Sequence, residues 1–207
     1  MRRFVLLTCL LLGLSGCASR QLTPDQKSSF KRVSVAAVKM PTKPTIFGEN
    51  AAAAFLLGGP LGAALANAGS DIPTLYSQQL RKNNVDVAAL LRADLAEQLK
   101  QRGFDVVPHG QPVDAILVPE IGQYGLTGDI FASPPVRFPQ LSFQVDLNKF
   151  GSGDRIWRGG ASVNVLPEAY RQLEARRIEE YLQDGGLLRQ QVEKASKLMA
   201  EAAMAKL

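Results

Sequence analysis

The sequence predicts an α+β fold: a mainly antiparallel sheet with helices packed on one face. Three observations carry this. Leu141, Phe143, Val145 and Leu147 alternate with Ser142, Gln144, Asp146 and Asn148, the period of two of a half-buried strand. After the turn Gly151-Ser-Gly-Asp154, Trp157, Ala161, Val163 and Val165 alternate with Arg158, Ser162 and Asn164, so a second strand returns beside the first. Val87, Leu91, Leu95 and Leu99 recur every four residues opposite Arg92, Asp94, Glu97, Lys100 and Arg102, which is an amphipathic helix. The order β, Gly/Ala-rich insert, α, four β, two α then leads to layered α+β packing.

Taken along the chain, the organisation is a cleaved leader over 1–16, a flexible tether over 17–30 and one domain over 31–207. Residues 18–30 are mostly polar, as a tether requires. Val33 to Met40 reads as a first strand, broken by Pro41, Pro44 and Gly48. The amphipathic helix spans roughly 86–102 and ends at Gly103. Phe104 to Pro108 is a short strand. Asp114 to Tyr124 is a strand either buried on both faces or bulged near Gly122. Gly125, Gly128, Pro134 and Pro135 mark a long loop before the hairpin. After Pro167, helices are expected over 168–182 and 186–206, separated by Gly185-Gly186, with Glu174–Arg177 and Arg176–Glu180 paired on the helix surface.

Residues 51–69 hold no charge, and Ala54, Gly58, Gly62 and Ala66 recur every four residues, the small-xxx-small spacing of close helix contact. Pro60 after Gly58-Gly59 breaks a straight helix. The intact pieces 51–57 and 61–68 would each be about 10–12 Å long, short of a hydrocarbon core of about 30 Å. Three readings stay open: a turn or hairpin packed on the protein's own core, an oligomer contact or membrane-dipping element, and a true span.

The N-terminus is the most specific feature. Arg2 and Arg3 precede an apolar run from Phe4 to Leu14, then Ser15, Gly16 and Cys17, the layout of a secretory signal. Leu14-Ser15-Gly16-Cys17 resembles the lipobox of bacterial lipoproteins. The resemblance implies cleavage between Gly16 and Cys17, with covalent diacylglyceryl and N-acyl lipid on Cys17. Three acyl chains exceed the two signals that make anchoring stable. Ala18 and Ser19 follow Cys17, and the absence of Asp there resembles the default export signal to the outer membrane. The expected location is the outer membrane, facing the periplasm.

Chemistry is sparse elsewhere. Cys9 leaves with the leader and Cys17 is consumed by lipid, so a mature domain has no thiol for a disulfide, metal or nucleophile. The single histidine, His109, lies in Pro108-His-Gly-Gln-Pro112 and reads as a loop residue. No Gly-x-Ser-x-Gly context appears. Gly58-Gly59-Pro60-Leu61-Gly62 lacks the Lys-Ser/Thr of a phosphate loop, and Gly122, Gly125 and Gly128 do not open a helix. Asp114 and Glu120 form a carboxylate pair by count only. The net charge of +5 is scattered, without a Lys/Arg block, so nucleic acid is not an expected partner. Arg137, Phe138, Arg155, Trp157 and Arg158 could form a binding edge, although Trp157 shares the apolar face of its strand.

The lipobox, the strand near Val33–Val38, the helix Val87–Arg102 running into Gly103-Phe104-Asp105-Val106-Val107, and the strand Asp114–Ile121 together resemble small Gram-negative envelope lipoproteins. These share a fold with the periplasmic domain of the curli secretion lipoprotein CsgG and the amino-terminal domain of TolB. The resemblance implies a non-catalytic adaptor or accessory in envelope assembly or transport, with the membrane and an envelope protein as partners and no cofactor or metal. The alternative is a subunit of a homo-oligomeric membrane-associated assembly or secretion pore using Ala54, Gly58, Gly62 and Ala66. An enzyme is a distant third.

Overall fold

The computed structural model describes residues 22–23, 26–27, 29–47, 71–108, 110–128, 136–162 and 171–207. Within them lie strands β1 (Arg32–Val35), β2 (Thr45–Ile46), β3 (Asp105–Val106), β4 (Ala115–Thr127), β5 (Phe138–Lys149) and β6 (Arg155–Ala161). The helices are α1 (Ile72–Lys82), α2 (Val87–Gln101), α3 (Ile178–Gln183) and α4 (Gly185–Met204). The expected α+β class holds. Its sheet is mixed, in the order β3-β1-β4-β5-β6, with β2 also on β4. The long ladders β4–β5 and β5–β6 are antiparallel, as expected, while β1 pairs parallel with β3 and β4, and β2 parallel with β4.

The first strand is shorter than the alternation implied. Regular pairing stops at Val35, Lys39 makes one bridge to Glu120, and the chain rejoins β4 at Thr45. Pro41 and Pro44, which lack the amide hydrogen a ladder needs, lie within this excursion just before the chain rejoins β4. Just before β1, Leu22 and Phe30 are buried in the core, and Thr23 and Gln26 exchange side-chain-to-amide bonds of 3.0 and 3.3 Å. The predicted tether therefore has fixed points at both residues.

Strand β4 is not buried on both faces; it is bulged. Its register to β5 shifts between Ile121 and Gln123, around Gly122. Ala115, Leu117, Pro119 and Ile121 face the core before the shift, and Tyr124 and Leu126 after it. One extra residue thus restores the core face after the parity changes. The strand then runs through Gly125, placed in a loop by sequence, to Thr127. Gly125 has φ 143°, and a Cβ there would overlap the Thr45 backbone, so the glycine admits β2 against β4. Gly125→Ala is expected to lower stability by more than about 1 kcal/mol. Chemical denaturation checks this, and an unchanged midpoint would show that β2 does not depend on the close approach.

Helix α2 matches its prediction. Asp86 caps it by accepting from the Ala89 amide at 2.9 Å, Leu91, Leu95 and Leu99 are fully buried, and Gly103 turns the chain out at φ 85°. Helix α4 packs between α2 and the β5–β6 hairpin. Ser196 on α4 donates to the Asp94 carboxylate of α2 at 2.5 Å, while burial pushes the Asp94 carboxyl above its usual range. Gly185 and Gly186 open α4 instead of separating two helices. Asp184 caps it at 2.9 Å, and a Cβ on Gly185 would strike the Asn83 side chain at the end of α1.

Two elements differ from expectation in kind. Helix α1 was not anticipated. The described part of the expected helix 168–182 is helical only over α3, because Arg176 instead bridges to Arg137 through paired backbone bonds of 2.6 and 2.7 Å. The charge pairs shift accordingly, to Arg176–Glu174 and Arg177–Glu180.

Candidate functional site

A groove of about 640 Å³ lies between α1 and the excursion joining β1 to β2. Met40, Thr42 and Lys43 form one wall, and Thr74, Ser77 and Arg81 project from α1 on the other. Tyr124 contributes from β4, and Asn84 to Val87 close the end. Helix α1 is set in place by its own sequence. Asp71 accepts from the Thr74 amide at 2.7 Å, Pro73 lies in the first turn, and Ile72, Tyr76 and Leu80 bury one stripe. Tyr76 donates weakly to the Gly125 carbonyl at 3.4 Å, which ties α1 to the strand behind the groove.

Electrostatics in the groove are modest. Burial raises the Tyr124 phenol, with Ser77 and Arg81 opposing that rise. The Asp71 carboxyl is lowered chiefly by its bonds with Thr74, with a smaller contribution from Lys43. Burial also raises the Tyr76 and Tyr181 phenols, so both stay neutral hydrogen-bonding groups. The groove can hold an apolar body with Lys43 and Arg81 at its rim. Of its polar groups, Asp86 accepts from the Ala89 amide at 2.9 Å and the Ser77 hydroxyl donates to the Pro73 carbonyl at 2.9 Å, so both are used within their helices.

A shallower hollow of about 460 Å³ lies on the sheet near the β4 bulge, lined by Glu120, Gly122, Gln123, Ser142, Gln144 and Ser162. Gln140 donates to Gln123 at 3.0 Å, and the Ser142 and Ser162 hydroxyls meet at 3.3 Å. These contacts join neighbouring strands.

The residues singled out by sequence are mostly dispersed. Arg137 is buried, Trp157 lies in the core against Gly159, and Arg158 forms a bidentate pair with Asp146 at 2.6 and 2.7 Å. The candidate edge of Arg137, Phe138, Arg155, Trp157 and Arg158 is therefore split between core and surface, because alternate strand residues face opposite sides. Asp114 accepts from the Lys31 and Arg32 amides at 2.9 and 2.8 Å. Glu120 lies six residues along an extended chain, about 20 Å away, too far for a glycosidase pair. Gly16, Cys17, Ala54, Gly58, Gly62, Ala66 and His109 lie outside the described residues. Among the described residues no group of His, Cys, Asp and Glu is placed to hold a metal ion, and no helix is long and apolar enough to cross a membrane.

The groove was not anticipated. Its signal was present in Asp71-Ile-Pro-Thr74, a cap followed by an early proline, and in the spacing of Ile72, Tyr76 and Leu80.

No protein-family model matches the sequence, and no curated relative is found. Among solved structures, the fold is similar to a variant PelC dodecamer from Paraburkholderia phytofirmans, with 10% identity over 88% of this chain and 95% of that one, at a TM-score of 0.36. It is similar to the lipoprotein GNA1162 from Neisseria meningitidis, with 18% identity over 68% and 95%, at 0.27. A minor lipoprotein from Acinetobacter baumannii overlaps with 10% identity over 84% and 91%, at 0.31. The structural neighbours thus include bacterial lipoproteins. The overlaps are partial at these scores, so the functional reading rests on the residues.

Proposed function

We propose that this chain is a non-catalytic lipoprotein, anchored to the outer membrane through Cys17 and facing the periplasm, where it serves as an adaptor or accessory in envelope assembly or transport. The observation that carries the non-catalytic part is where the carboxylates go. Asp114 binds two backbone amides, Asp146 binds Arg158, Asp94 binds Ser196 and Glu174 binds Arg176. Each holds two segments or side chains together. The lipobox-like Leu14–Cys17 supports the anchor, and the arrival of the chain at buried Leu22 supports a domain held close to its membrane. Affinity purification from crosslinked envelopes tests the adaptor role: a reproducible envelope protein partner is expected, and recovery of this chain alone would contradict it. Sucrose-gradient fractionation tests the membrane, with recovery mainly in the inner-membrane fractions as the contrary result.

The spacing of Ala54, Gly58, Gly62 and Ala66 favours a second reading, in which the charge-free run assembles copies of the chain or associates with the membrane. The segment that contains it begins after Phe47, which follows β2, and ends at Asp71, which precedes α1. If the run packs within one subunit, Gly62→Leu overpacks it and costs about 1–3 kcal/mol with oligomer mass unchanged. That is the expected outcome. Thermal melting and detergent-phase mass, measured together, decide: an oligomer that dissociates with melting unchanged would promote the assembly reading.

A further inference from the structure

We propose that the β5–β6 hairpin tip, led by Phe150, is a membrane-contact site that orients the domain on the bilayer carrying its lipid anchor. The proposal rests on the lipoprotein reading above. Phe150 is 56% exposed, the most exposed of the large hydrophobic side chains among the described residues. It stands at a tight turn in which Gly151 and Gly153 take φ 87° and 74°. The Gly153 amide donates to the Lys149 carbonyl at 3.0 Å, and the Lys149 amide to the Asp154 carbonyl at 2.8 Å. The turn is therefore closed by its own backbone, and an exposed aromatic ring there does not serve it.

The same end of the sheet receives the chain from the N-terminus. The Phe150 amide donates to the Asp114 carbonyl at 2.9 Å, and the Asp114 carboxylate accepts from the Lys31 and Arg32 amides. Strands β5 and β1 flank β4, so Phe150 and Lys31 lie about two strand spacings apart, roughly 10 Å. From Cys17 to buried Leu22 there are only five residue steps, a reach of at most about 18 Å. The lipid thus sits within a short leash of the domain, and the chain enters the sheet beside Phe150.

Charge at this end suits a membrane surface. Lys149, Asp154 and Arg155 stand at the tip, and Asp114, Lys31, Arg32 and Asp105 follow along the same edge of the sheet on β4, β1 and β3. Asp114 is engaged by two amides, and Asp105 faces Arg32 at 3.7 Å. An exposed aromatic flanked by long cationic side chains is the chemistry of an interfacial anchor, the ring at headgroup level and the cations reaching phosphates. Phe47, 53% exposed, follows β2 at the opposite end of β4 and provides the internal comparison.

The test uses the mature lipidated protein in phosphatidylethanolamine–phosphatidylglycerol vesicles with bromines along the acyl chains. Phe150→Trp adds a reporter over Trp157, which is buried and present in every variant. The added emission is expected to shift blue and to fall roughly twofold with brominated lipid, as for an aromatic at the interface. Phe47→Trp is expected to remain unquenched. Ser152→Cys, labelled with a polarity-sensitive maleimide, reads the same tip with Phe150 intact and is expected to report an apolar setting. Protein that floats with vesicles while position 150 and the Ser152 label stay water-exposed overturns the tip proposal alone, as does quenching at position 47 instead. Protein that fails to float overturns the anchor and the tip together.

Discussion

Leu95→Asp is expected to abolish cooperative unfolding of the domain. Leu95 is fully buried at the centre of α2, between Leu91 and Leu99, which are equally buried. Helix α2 packs on α4 and on the β1–β3 side of the sheet. Truncating such a leucine to alanine costs about 2–5 kcal/mol. A carboxylate there must also be desolvated or protonated, at a further cost of several kcal/mol. The sum approaches the total stability of an ordinary domain, about 5–15 kcal/mol. Thermal melting followed by circular dichroism checks it, with Lys100→Asp on the exposed side of the same helix as the control. A wild-type transition in Leu95→Asp would mean that this stripe does not face the core.

The features legible in the sequence were those with a local period. Helix α2 showed its stripe and its Gly103 exit, and the hairpin showed its alternation on both sides of a Gly-rich turn. Trp157 lies on the core side, as its strand parity required. What was not legible depends on distant partners. Strand β2 is two residues long and exists because Gly125 lets Thr45 approach β4. The parallel pairing of β1 with β3 and β4 joins segments more than 70 residues apart, and no local pattern specifies it. Residues 174–180 carry acid–base spacings that fit a helix, yet the Arg137–Arg176 bridge holds Arg176 extended. Helix α1 was hidden because its buried stripe is thin, comprising Ile72, Pro73, Tyr76 and Leu80. The groove followed α1 out of view, since its cationic rim combines Lys43 and Arg81 from separate segments.

Cys17→Ala is expected to move the protein off the membrane or to leave an uncleaved precursor. Cys17 is the sole acyl acceptor at the proposed cleavage point, because thioether formation needs a thiol that alanine lacks. One acyl chain binds a bilayer reversibly and two bind it stably. Losing all three should therefore transfer most of the protein from the membrane pellet to the soluble periplasmic fraction, unless the leader is retained. Radiolabelled palmitate incorporation in wild type and Cys17→Ala, read beside fractionation, is the most direct measurement of the anchored-lipoprotein account. Label in the wild type and none in the variant is the result the account predicts. Label that persists in Cys17→Ala, or a wild-type protein without label, would contradict it.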